Sequence, residues 1–524
     1  MPIIQQGSIN TTALVVPDLY VQIVPPQNLV LNGVPTNILG VVGTAAWGPA
    51  NQPTIVATMA DYARTFGPVM PRRYDMGTQV ATAVQQGASD FRCVRITDGT
   101  DTAASYAVAY AAGGYPLLLT ARYSGTLGNQ VGIVLSAGSQ AGTWRLALTL
   151  PGITPELFDN IAAPNPVVFW TNLAAAINQG ASALRGASQL VVATLGSATT
   201  TAPAVIANQA LFGGTDGASN IATATLVGRD TLPRSGLYAL RAQGCSLALL
   251  ADADDATQYT VQAAFAQSEG LYVIATGPAG DTIANAITNK QTAGLDTYSV
   301  KLMFGDWVYW NDQANGIVRL VSPQGFTAGR LANLSPEQSS LNKPLYGVVG
   351  TQKSGAPGAG QNTGYSSAEL AALLGNGIDV IANPQPGGNY WGVRGGHNAS
   401  SNAATNGDNY TRLTNYIAST LAAGMGKYVG AVINSTLFGR IRATQLSFLQ
   451  NLLSQSILGS PDGSLPFTVT CDTSNNPSTR TSLGYVQSDA QIQYQAINEK
   501  FIVNMEGGQT VQVSRQTLPS GRQQ

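Results

Sequence analysis

The chain has 524 residues, 26 of them basic and 27 acidic, so its formal net charge is -1. Only 10% of the residues are charged, against roughly a quarter in an ordinary soluble protein, while the apolar fraction of 44% suffices for sizeable cores. Clustered Lys and Arg, which nucleic-acid binding requires, do not occur, and no stretch approaches about 18 apolar residues. We therefore expect no nucleic-acid partner and no membrane insertion. A weakly charged surface is typical of a subunit whose surface is largely covered by other copies of the same chain.

The cysteine and histidine content excludes several kinds of site. Cys93, Cys245 and Cys471 are few and far apart, which predicts reduced, buried thiols in a protein assembled in the cytoplasm. Because His397 is the single histidine, the chain cannot supply the two or more histidine ligands of many zinc enzymes. The G-x-S-x-G, P-loop and G-x-G-x-x-G motifs are also missing. Apart from a group of carboxylates considered below, we therefore expect no catalytic residue, no metal and no cofactor.

Residues 1–30 form a separate beginning with one strand-like run. This β-rich run consists of Leu19, Tyr20, Val21, Gln22, Ile23 and Val24. The pair Pro25-Pro26 ends the run, because proline cannot donate a ladder hydrogen bond. We predict a strand here that has no obvious hairpin partner.

Residues 31–99 change to an α/β pattern. We predict a buried strand over 38–42, a helix that begins with a capping box at Thr58, a second helix that stops at Gly87, and a strand over 91–96.

Residues 100–217 are then rich in Ala, Thr, Ser and Gly, and turn sequences bound them on both sides. We interpret this stretch as a mostly β inserted domain.

Residues 218–390 alternate between strands and amphipathic helices. The predicted strands are 246–250, 271–275, 298–304 and 378–381. The predicted helices are 254–269, 281–288 and 366–374. Such alternation indicates βαβ units and a largely parallel sheet with flanking helices.

Residues 391–487 hold two amphipathic helices, and residues 488–524 return to strands. The strand residues predicted near the C-terminus are Gln491, Ile492, Gln493, Tyr494, Gln495, Ala496, Phe501, Ile502 and Val503. Arg440 and Arg442 lie near the start of the second helix, where they face either a partner or solvent. The whole chain therefore predicts an α/β core with a mostly β inserted domain and extended terminal β-strand arms.

Three carboxylates follow the predicted strand at 246–250. Asp252, Asp254 and Asp255 lie where ligands bind in open α/β sheets, and clustered carboxylates suit Mg²⁺. A metal-dependent hydrolase is therefore one hypothesis. The other interpretation is that Asp254 or Asp255 caps the following helix.

The strands at the two ends of the chain raise a second functional hypothesis. An unpaired strand exposes backbone donors and acceptors, so it is a template for pairing with another chain. Donation of such strands to a neighbour's sheet joins subunits by β-augmentation, and a head-to-tail arrangement that does not close builds a helical filament. The alternative is that both ends fold back onto their own sheet, and the residue pattern leaves the two open.

A set of phrases in order along the chain resembles contractile bacteriophage tail sheath proteins. These phrases are Val41–Pro49, Asp61-Tyr62, Phe66-Gly67, Val94–Gly99, Tyr123–Asn129, Leu211–Gly217, Ser322-Pro323, Leu341–Pro344 and Trp391–Arg394. The resemblance spans about residues 15 to 505, nearly the whole chain. It departs from the family after Trp391-Gly392, where the family often has Arg-Thr-Leu and this chain has Arg394-Gly395-Gly396.

The resemblance implies a virion structural protein without enzymatic activity. Subunits would stack as six-fold rings around a tail tube, between a baseplate and a tail terminator, and contraction would drive the tube through the host envelope. The terminal arms would link neighbours, with hinges near Pro25-Pro26 and Ser478–Gly484. The insertion would face outward, and Arg440 and Arg442 would be candidates to face the tube. A phage-derived bacteriocin or secretion device would use the same kind of sheath.

Overall fold

The computed structural model describes residues 3–6, 20–23, 31–108, 114–182, 185–359, 363–507 and 509. Near the N-terminus, β1 (Ile3–Gln6) and β2 (Tyr20–Ile23) pair in parallel, with Ile3 opposite Tyr20. The predicted N-terminal strand is confirmed over Tyr20–Ile23, whereas Leu19 and Val24 lie outside the described residues.

The first α/β segment follows the sequence pattern closely. Its elements are β3 (Leu39–Gly43), β4 (Thr54–Val56), α1 (Met59–Phe66), α2 (Met76–Gln85) and β5 (Phe91–Arg95). The helix α1 begins as predicted, because the hydroxyl of Thr58 accepts a 3.1 Å hydrogen bond from the backbone N–H of Asp61. At α2, the carboxylate of Asp75 accepts one from the N–H of Thr78 at 2.8 Å.

Residues 100–217 form two antiparallel sheets and a helix. Their elements are β6 (Ser105–Val108), β7 (Leu117–Ala121), β8 (Gly132–Ala137), β9 (Thr143–Leu150), β10 (Ile153–Ala162), α3 (Pro166–Gln179), β11 (Val191–Leu195) and β12 (Ile206–Ala210). The strand orders are β10-β9-β8-β12 and β11-β7-β6. Side chains from both sheets share one core with α3.

The helix α3 was not predicted from the sequence. Its Val-Val-Phe-Trp start is rich in β-branched and aromatic residues, which favour strands. The helix signals were nevertheless present, since Asn165 caps the N-terminus, Pro166 occupies the first turn and Gly180 follows the last residue. Burial of Phe169 and Trp170 against the two sheets outweighs the strand propensity of this segment.

The segment 218–390 supplies most of the central sheet. Its elements are α4 (Thr223–Val227), β13 (Leu247–Leu250), α5 (Tyr259–Glu269), β14 (Tyr272–Thr276), α6 (Ile283–Thr292), β15 (Val300–Met303), β16 (Val308–Asp312), β17 (Ile317–Val321), α7 (Gln324–Ala332), β18 (Val348–Thr351), α8 (Ser367–Gly375), β19 (Ile378–Asp379) and β20 (Ile381–Ala382). The short strand β21 (Gly392–Val393), which pairs with β20, lies just beyond this segment. The helix predicted over 254–269 ends at Glu269 as expected, and the following Gly270 has the left-handed φ of 64°.

The central sheet has seven strands in the order β19-β15-β14-β13-β3-β5-β4. Neighbours pair in parallel from β19 to β5, and the edge strand β4 is antiparallel to β5. Because β3 lies next to β13, the segments before and after residues 100–217 build one sheet. This confirms the largely parallel α/β sheet that the alternation predicted.

Both faces of the central sheet are buried. Alternate strand residues point to one face, where α1, α2 and α7 pack, or to the other, where α4, α5, α6 and α8 pack. Parallel strands covered on both faces read as nearly continuous apolar runs, such as Leu247–Leu250. Separately, β16, β17 and β18 form a small antiparallel sheet, in which β16 and β17 are joined as a hairpin.

The C-terminal part of the chain forms a second α/β unit with its own core. Its elements are α9 (Asp408–Met425), α10 (Ser435–Ser454), β22 (Phe467–Thr470), α11 (Ser478–Thr481) and β23 (Asp489–Ile492). Ile417, Phe448 and Leu449 pack against Phe467 and Val469 from β22. Throughout the part of the chain that the structure describes, no helix combines the length and apolar character needed to cross a membrane.

One buried arginine, Arg95, joins loops of the inserted domain to the central sheet. Arg95, at the end of β5, donates to the carbonyls of Gly48 at 2.7 Å, Ser124 at 2.8 Å and Asp216 at 3.1 Å. The carboxylate of Asp216 accepts from the N–H of Thr126 at 2.6 Å. Burial lowers the pKa of Arg95, so its hydrogen bonds offset a substantial loss of hydration. The two loops that carry Ser124 and Asp216 are thereby held against the core.

We predict that Gly125→Ala destabilises this junction. Gly125 has a φ of 136°, and an added Cβ would lie 2.1 Å from the carbonyl oxygen of Ala46. The matched control is Gly142→Ala in a hairpin turn, where φ is 77° but nothing lies within 4 Å of the added Cβ. The control loses about 1–2 kcal/mol from the left-handed conformation alone, and Gly125→Ala loses more. Chemical denaturation of both variants measures the difference, and equal losses would contradict the junction model.

Candidate intersubunit surfaces

The strands β22 and β23 form a small sheet near the C-terminus. They pair antiparallel, with Phe467 opposite Ile492 and Thr470 opposite Asp489. Among the described residues no third strand joins this sheet, so its outer edges present unpaired backbone groups. Such an edge is able to accept a strand from another chain.

The predicted strand at Gln491–Ala496 differs from the observed one in extent and partner. The observed strand β23 runs from Asp489 to Ile492 and pairs within its own chain. Beyond it, the N–H of Gln493 still donates to the carbonyl of Pro466 at 2.7 Å. Pro466 has no N–H to complete the pair, so the ladder cannot continue past this position. The alternating pattern therefore overestimated the length of the strand.

The residues after the end of β23 lie on the body of the same subunit. The ring of Tyr494 packs edge-on against that of Tyr410, with centroids 5.8 Å apart. The carbonyl of Gln495 accepts a 3.0 Å hydrogen bond from the side-chain amide of Asn409. At Glu499, a carboxylate oxygen lies 2.8 Å from Nε2 of His397.

The next residues form an exposed apolar run. Phe501, Ile502 and Val503 are 81%, 80% and 70% exposed, and Met505 is 88% exposed. The predicted strand at Phe501–Val503 is not formed in the single chain, where these residues have no ladder partner. An isolated strand without ladder bonds is unstable, whereas a contiguous apolar patch marks an interaction site.

Arg440 and Arg442 are exposed on the first turns of α10. Neither guanidinium forms an ion pair with any residue that the structure describes. The charge of Arg442 contributes to a lowered pKa of Asp472, after the hydrogen bonds from Ser474. The two cations thus remain available to a partner.

The three aspartates of the hydrolase hypothesis have separate structural roles. Asp252 is buried and accepts from the N–H of Tyr74 at 3.0 Å and from the side-chain amide of Gln79 at 2.9 Å. Asp254 lies 2.6 Å from the guanidinium of Arg73, and Asp255 accepts from the N–H of the following turn. Within the described ranges, no group of three or more His, Cys, Asp or Glu side chains could hold a metal ion. The aspartates do not converge on a common site.

A buried ion cluster lies beneath the loop that carries His397. The ammonium group of Lys301, from β15, is 2.6 Å from the carboxylate of Asp379 and 3.0 Å from that of Asp408. All three side chains are fully buried. Burial alone would lower the pKa of Lys301, but the two carboxylates outweigh this effect and raise it. Burial likewise opposes ionisation of Asp408, yet Lys301 holds its pKa below the usual value.

Hydrogen bonds satisfy the remaining oxygens of the cluster. Asp408 accepts from the hydroxyl of Tyr272 at 2.7 Å and from that of Ser340. Asp379 accepts from the N–H groups of Gly395 at 2.8 Å and Gly396 at 2.7 Å. At Gly396 the φ is 66°, and an added Cβ would lie 2.9 Å from the Cβ of Leu341, so a side chain at this position would be strained. The second glycine of the Gly-Gly departure noted in the sequence thus serves a local need.

The cluster of Lys301, Asp379 and Asp408 was not predicted from the sequence. Lys301 lies inside an apolar strand, and its partners are 78 and 107 residues away along the chain. The available signal was a lysine in a strand predicted to be buried, which must find a carboxylate partner. Neither partner could be identified from local spacing.

Solved structures similar to this chain are tail sheath proteins. The sheath tail protein of Desulfitobacterium hafniense is 16% identical at a TM-score of 0.59, with 86% of this chain and 93% of that one covered. A sheath tail protein of Listeria innocua is 13% identical at a TM-score of 0.59, covering 85% and 90%. A sheath complex of an extracellular contractile injection system, in the contracted state, is 12% identical at a TM-score of 0.54, covering 95% and 98%.

No family model and no curated protein sequence matches the chain. The structural likeness nevertheless establishes the class of fold: the chain has the fold of contractile tail sheath proteins. The resemblance carried by the ordered sequence phrases is confirmed at this level.

We predict that Lys301→Met strongly destabilises the subunit. The substitution leaves Asp379 and Asp408 buried without a counter-charge, which costs about 3–5 kcal/mol of unfolding free energy. The matched control is Lys353→Met, whose partner Glu369 lies at a partly exposed surface, and this pair is worth less than about 1 kcal/mol. Urea denaturation measures both, and similar losses would show that the cluster is not a buried charge network.

Proposed function

We propose that this protein is the structural subunit of a contractile tail sheath and not an enzyme. The observation that carries the proposal is the fold likeness, which extends over 86% of this chain and 93% of a sheath tail protein. The separate structural roles of Asp252, Asp254 and Asp255 remove the support for a hydrolase. The proposed role therefore depends on surfaces and not on a reaction centre.

The proposed assembly is a homopolymer joined by strand exchange. The sheet β22–β23 has free edges, and the exposed run Phe501–Val503 has no strand partner in its own chain. These features complement each other, because backbone pairing with a second copy would satisfy both. The N-terminal strand over Tyr20–Ile23 is the second proposed arm, with flanking Leu19 and Val24. Head-to-tail donation then builds six-fold rings in helical register.

Contraction follows from the energetics of such a lattice. A gain of a few kcal/mol per subunit, comparable to the effect of one mutation, adds up along a long sheath and drives the tube through an envelope. The barrier is kinetic and is released from the baseplate end. The arms keep neighbours connected while the bodies move as rigid units.

We assign the parts of the chain to positions in this assembly. Residues 1–30 and 488–524 are arms, and residues 100–217 are an outward-facing insertion. Residues 31–99 and 218–390 form the core, which the shared central sheet supports. Residues 391–487 lie near the tube, where Arg440 and Arg442 are the candidate contacts.

The proposed partners are the tail tube, baseplate and tail terminator proteins. The proposed location is the virion, after assembly in the bacterial host cytoplasm. The sheath of a phage-derived bacteriocin or secretion device is the alternative, and a solved injection-system sheath also covers 95% of this chain. Neighbouring capsid and terminase genes would distinguish the virion from such a device.

Removal of residues 500–524 is expected to yield folded subunits that do not polymerise. The deletion removes the exposed run and leaves the ladder between β22 and β23 intact. Electron microscopy of purified protein should show tubes or stacked rings for the full chain and only single subunits for the truncated one. Circular dichroism checks that the truncated chain is folded. Normal tubes from the truncated chain would contradict the arm model.

Point changes within the exposed run test the same interface without shortening the chain. The double variant Phe501→Ser with Val503→Ser should reduce polymerisation at least tenfold, because each side chain loses apolar area buried against the neighbour. The matched control is Leu232→Ser, since Leu232 is 82% exposed on the body. Sedimentation of polymer at several concentrations measures the effect. An equal loss in the control would mean that general surface polarity, and not the arm, governs assembly.

A further inference from the structure

The chain after β23 divides into two parts with different surroundings. We call Gln493–Glu499 the strap and Lys500–Glu506 the tip. Side chains and backbone of the strap contact the body of their own subunit. Most residues of both parts are exposed. The tip differs because none of its residues forms a hydrogen bond, ion pair or ring contact with any residue that the structure describes. The boundary between the two parts falls within one peptide bond, between Glu499 and Lys500.

The first end of the strap is held by polar and aromatic contacts to α9. The hydroxyl of Tyr494 lies 3.2 Å from that of Thr414, and its ring packs against Tyr410. The side chain of Asn409 donates to the carbonyl of Gln495. The strap thus begins with three contacts to neighbouring turns of one helix.

The far end of the strap is held by the contact between Glu499 and His397. Between the two ends, a cleft of about 630 Å³ separates the strap from the body, lined in part by Gly407, Asn406 and Ile497. The strap therefore bridges the body instead of packing along it. Loss of the far contact would free the chain back toward Gln495.

The buried cluster fixes the position of His397. Its N–H donates to Asp379 at 3.2 Å, and its carbonyl accepts from Lys301 at 2.9 Å. The charged groups beneath this loop are one ammonium, Lys301, and two carboxylates, Asp379 and Asp408, in direct contact. Buried Arg412 also interacts electrostatically with Asp408 and offsets the second negative charge. The imidazole is left with Glu499 as its charged contact, and it is presented to the strap on a rigid base.

We infer that the His397–Glu499 pair sets the point at which the C-terminal arm leaves its subunit, so that the segment reaching a second copy begins at Lys500. This inference rests on the proposed sheath function, which supplies the second copy. The family resemblance implied a hinge at Ser478–Gly484 as the point where the arm leaves the body. The inference places that point at the end of the strap instead. It also reassigns Gln491–Ala496, which stay with their own subunit, and leaves Phe501–Val503 as the donated residues.

The test on single subunits is trypsin cleavage after Lys500, followed by mass spectrometry. Cleavage requires a freely extended chain on both sides of the bond, so its rate follows the population in which the strap has lifted. His397→Ala removes the imidazole and keeps the backbone groups that serve Asp379 and Lys301. It leaves the cleaved sequence unchanged, and we expect the rate to rise about two- to fivefold, the range for a partly exposed ion pair.

A double-mutant cycle separates the contact from other effects. Glu499→Gln alters the residue next to the cleaved bond, so its own rate change includes the preference of the protease. In the Glu499→Gln background, however, His397→Ala should not change the cleavage rate further if both residues act only through their mutual contact. Cleavage after Arg480 reports general loosening and should be the same in all four proteins. An equal effect of His397→Ala in both backgrounds, or none in either, would overturn the inference.

The test on polymers asks where the donated segment begins. In assembled tubes, pairing of the tip with a neighbour should protect the bond after Lys500 at least tenfold relative to free subunits. Tubes in which this bond stays as accessible as in subunits would overturn the assignment of the tip. Failure to form tubes at all would instead count against the sheath function, and the result on single subunits would still report on the strap.

Discussion

The buried pairing of Lys301 with two carboxylates is the constraint on which the C-terminal half depends. A charge in an apolar interior is tolerated only with close partners, so β15, β19 and the start of α9 must keep one relative arrangement. The loop at Gly395–His397 is fixed by the same charges through its backbone. A single cluster therefore joins the central sheet to the C-terminal unit and positions the only histidine of the chain.

The central sheet could be predicted well because short-range features of the sequence determine its strands and helices. Apolar runs such as Leu247–Leu250 alternate with helices that carry readable caps, and right-handed crossovers then favour parallel pairing. The helix α3 was missed where propensity and burial disagree. The cluster around Lys301 was missed for a different reason: its members meet only after the chain has folded across 78 and 107 residues.

The candidate C-terminal arm shows that a period-two pattern alone does not determine the length of a strand. Alternation of polar and apolar residues continues to Ala496, but ladder formation also needs a partner with free N–H groups. Pro466 lacks one, so the partner strand ends the ladder at Ile492. The sequence contained this information, since Pro466 directly precedes β22. Using it required knowledge of the register, which a single strand does not reveal.

The order of the contacts along the arm determines how a pull from a neighbour would act. Tension applied at Phe501 reaches the His397–Glu499 contact first and the helix contacts of Tyr494 next. Only afterwards does it load the backbone ladder between β22 and β23, which several hydrogen bonds hold and which packs on the C-terminal core. Because side-chain contacts of the strap are individually weak, they yield before the ladder does. Several residues of the strap can therefore come away from the body while the ladder between β22 and β23 keeps its fold.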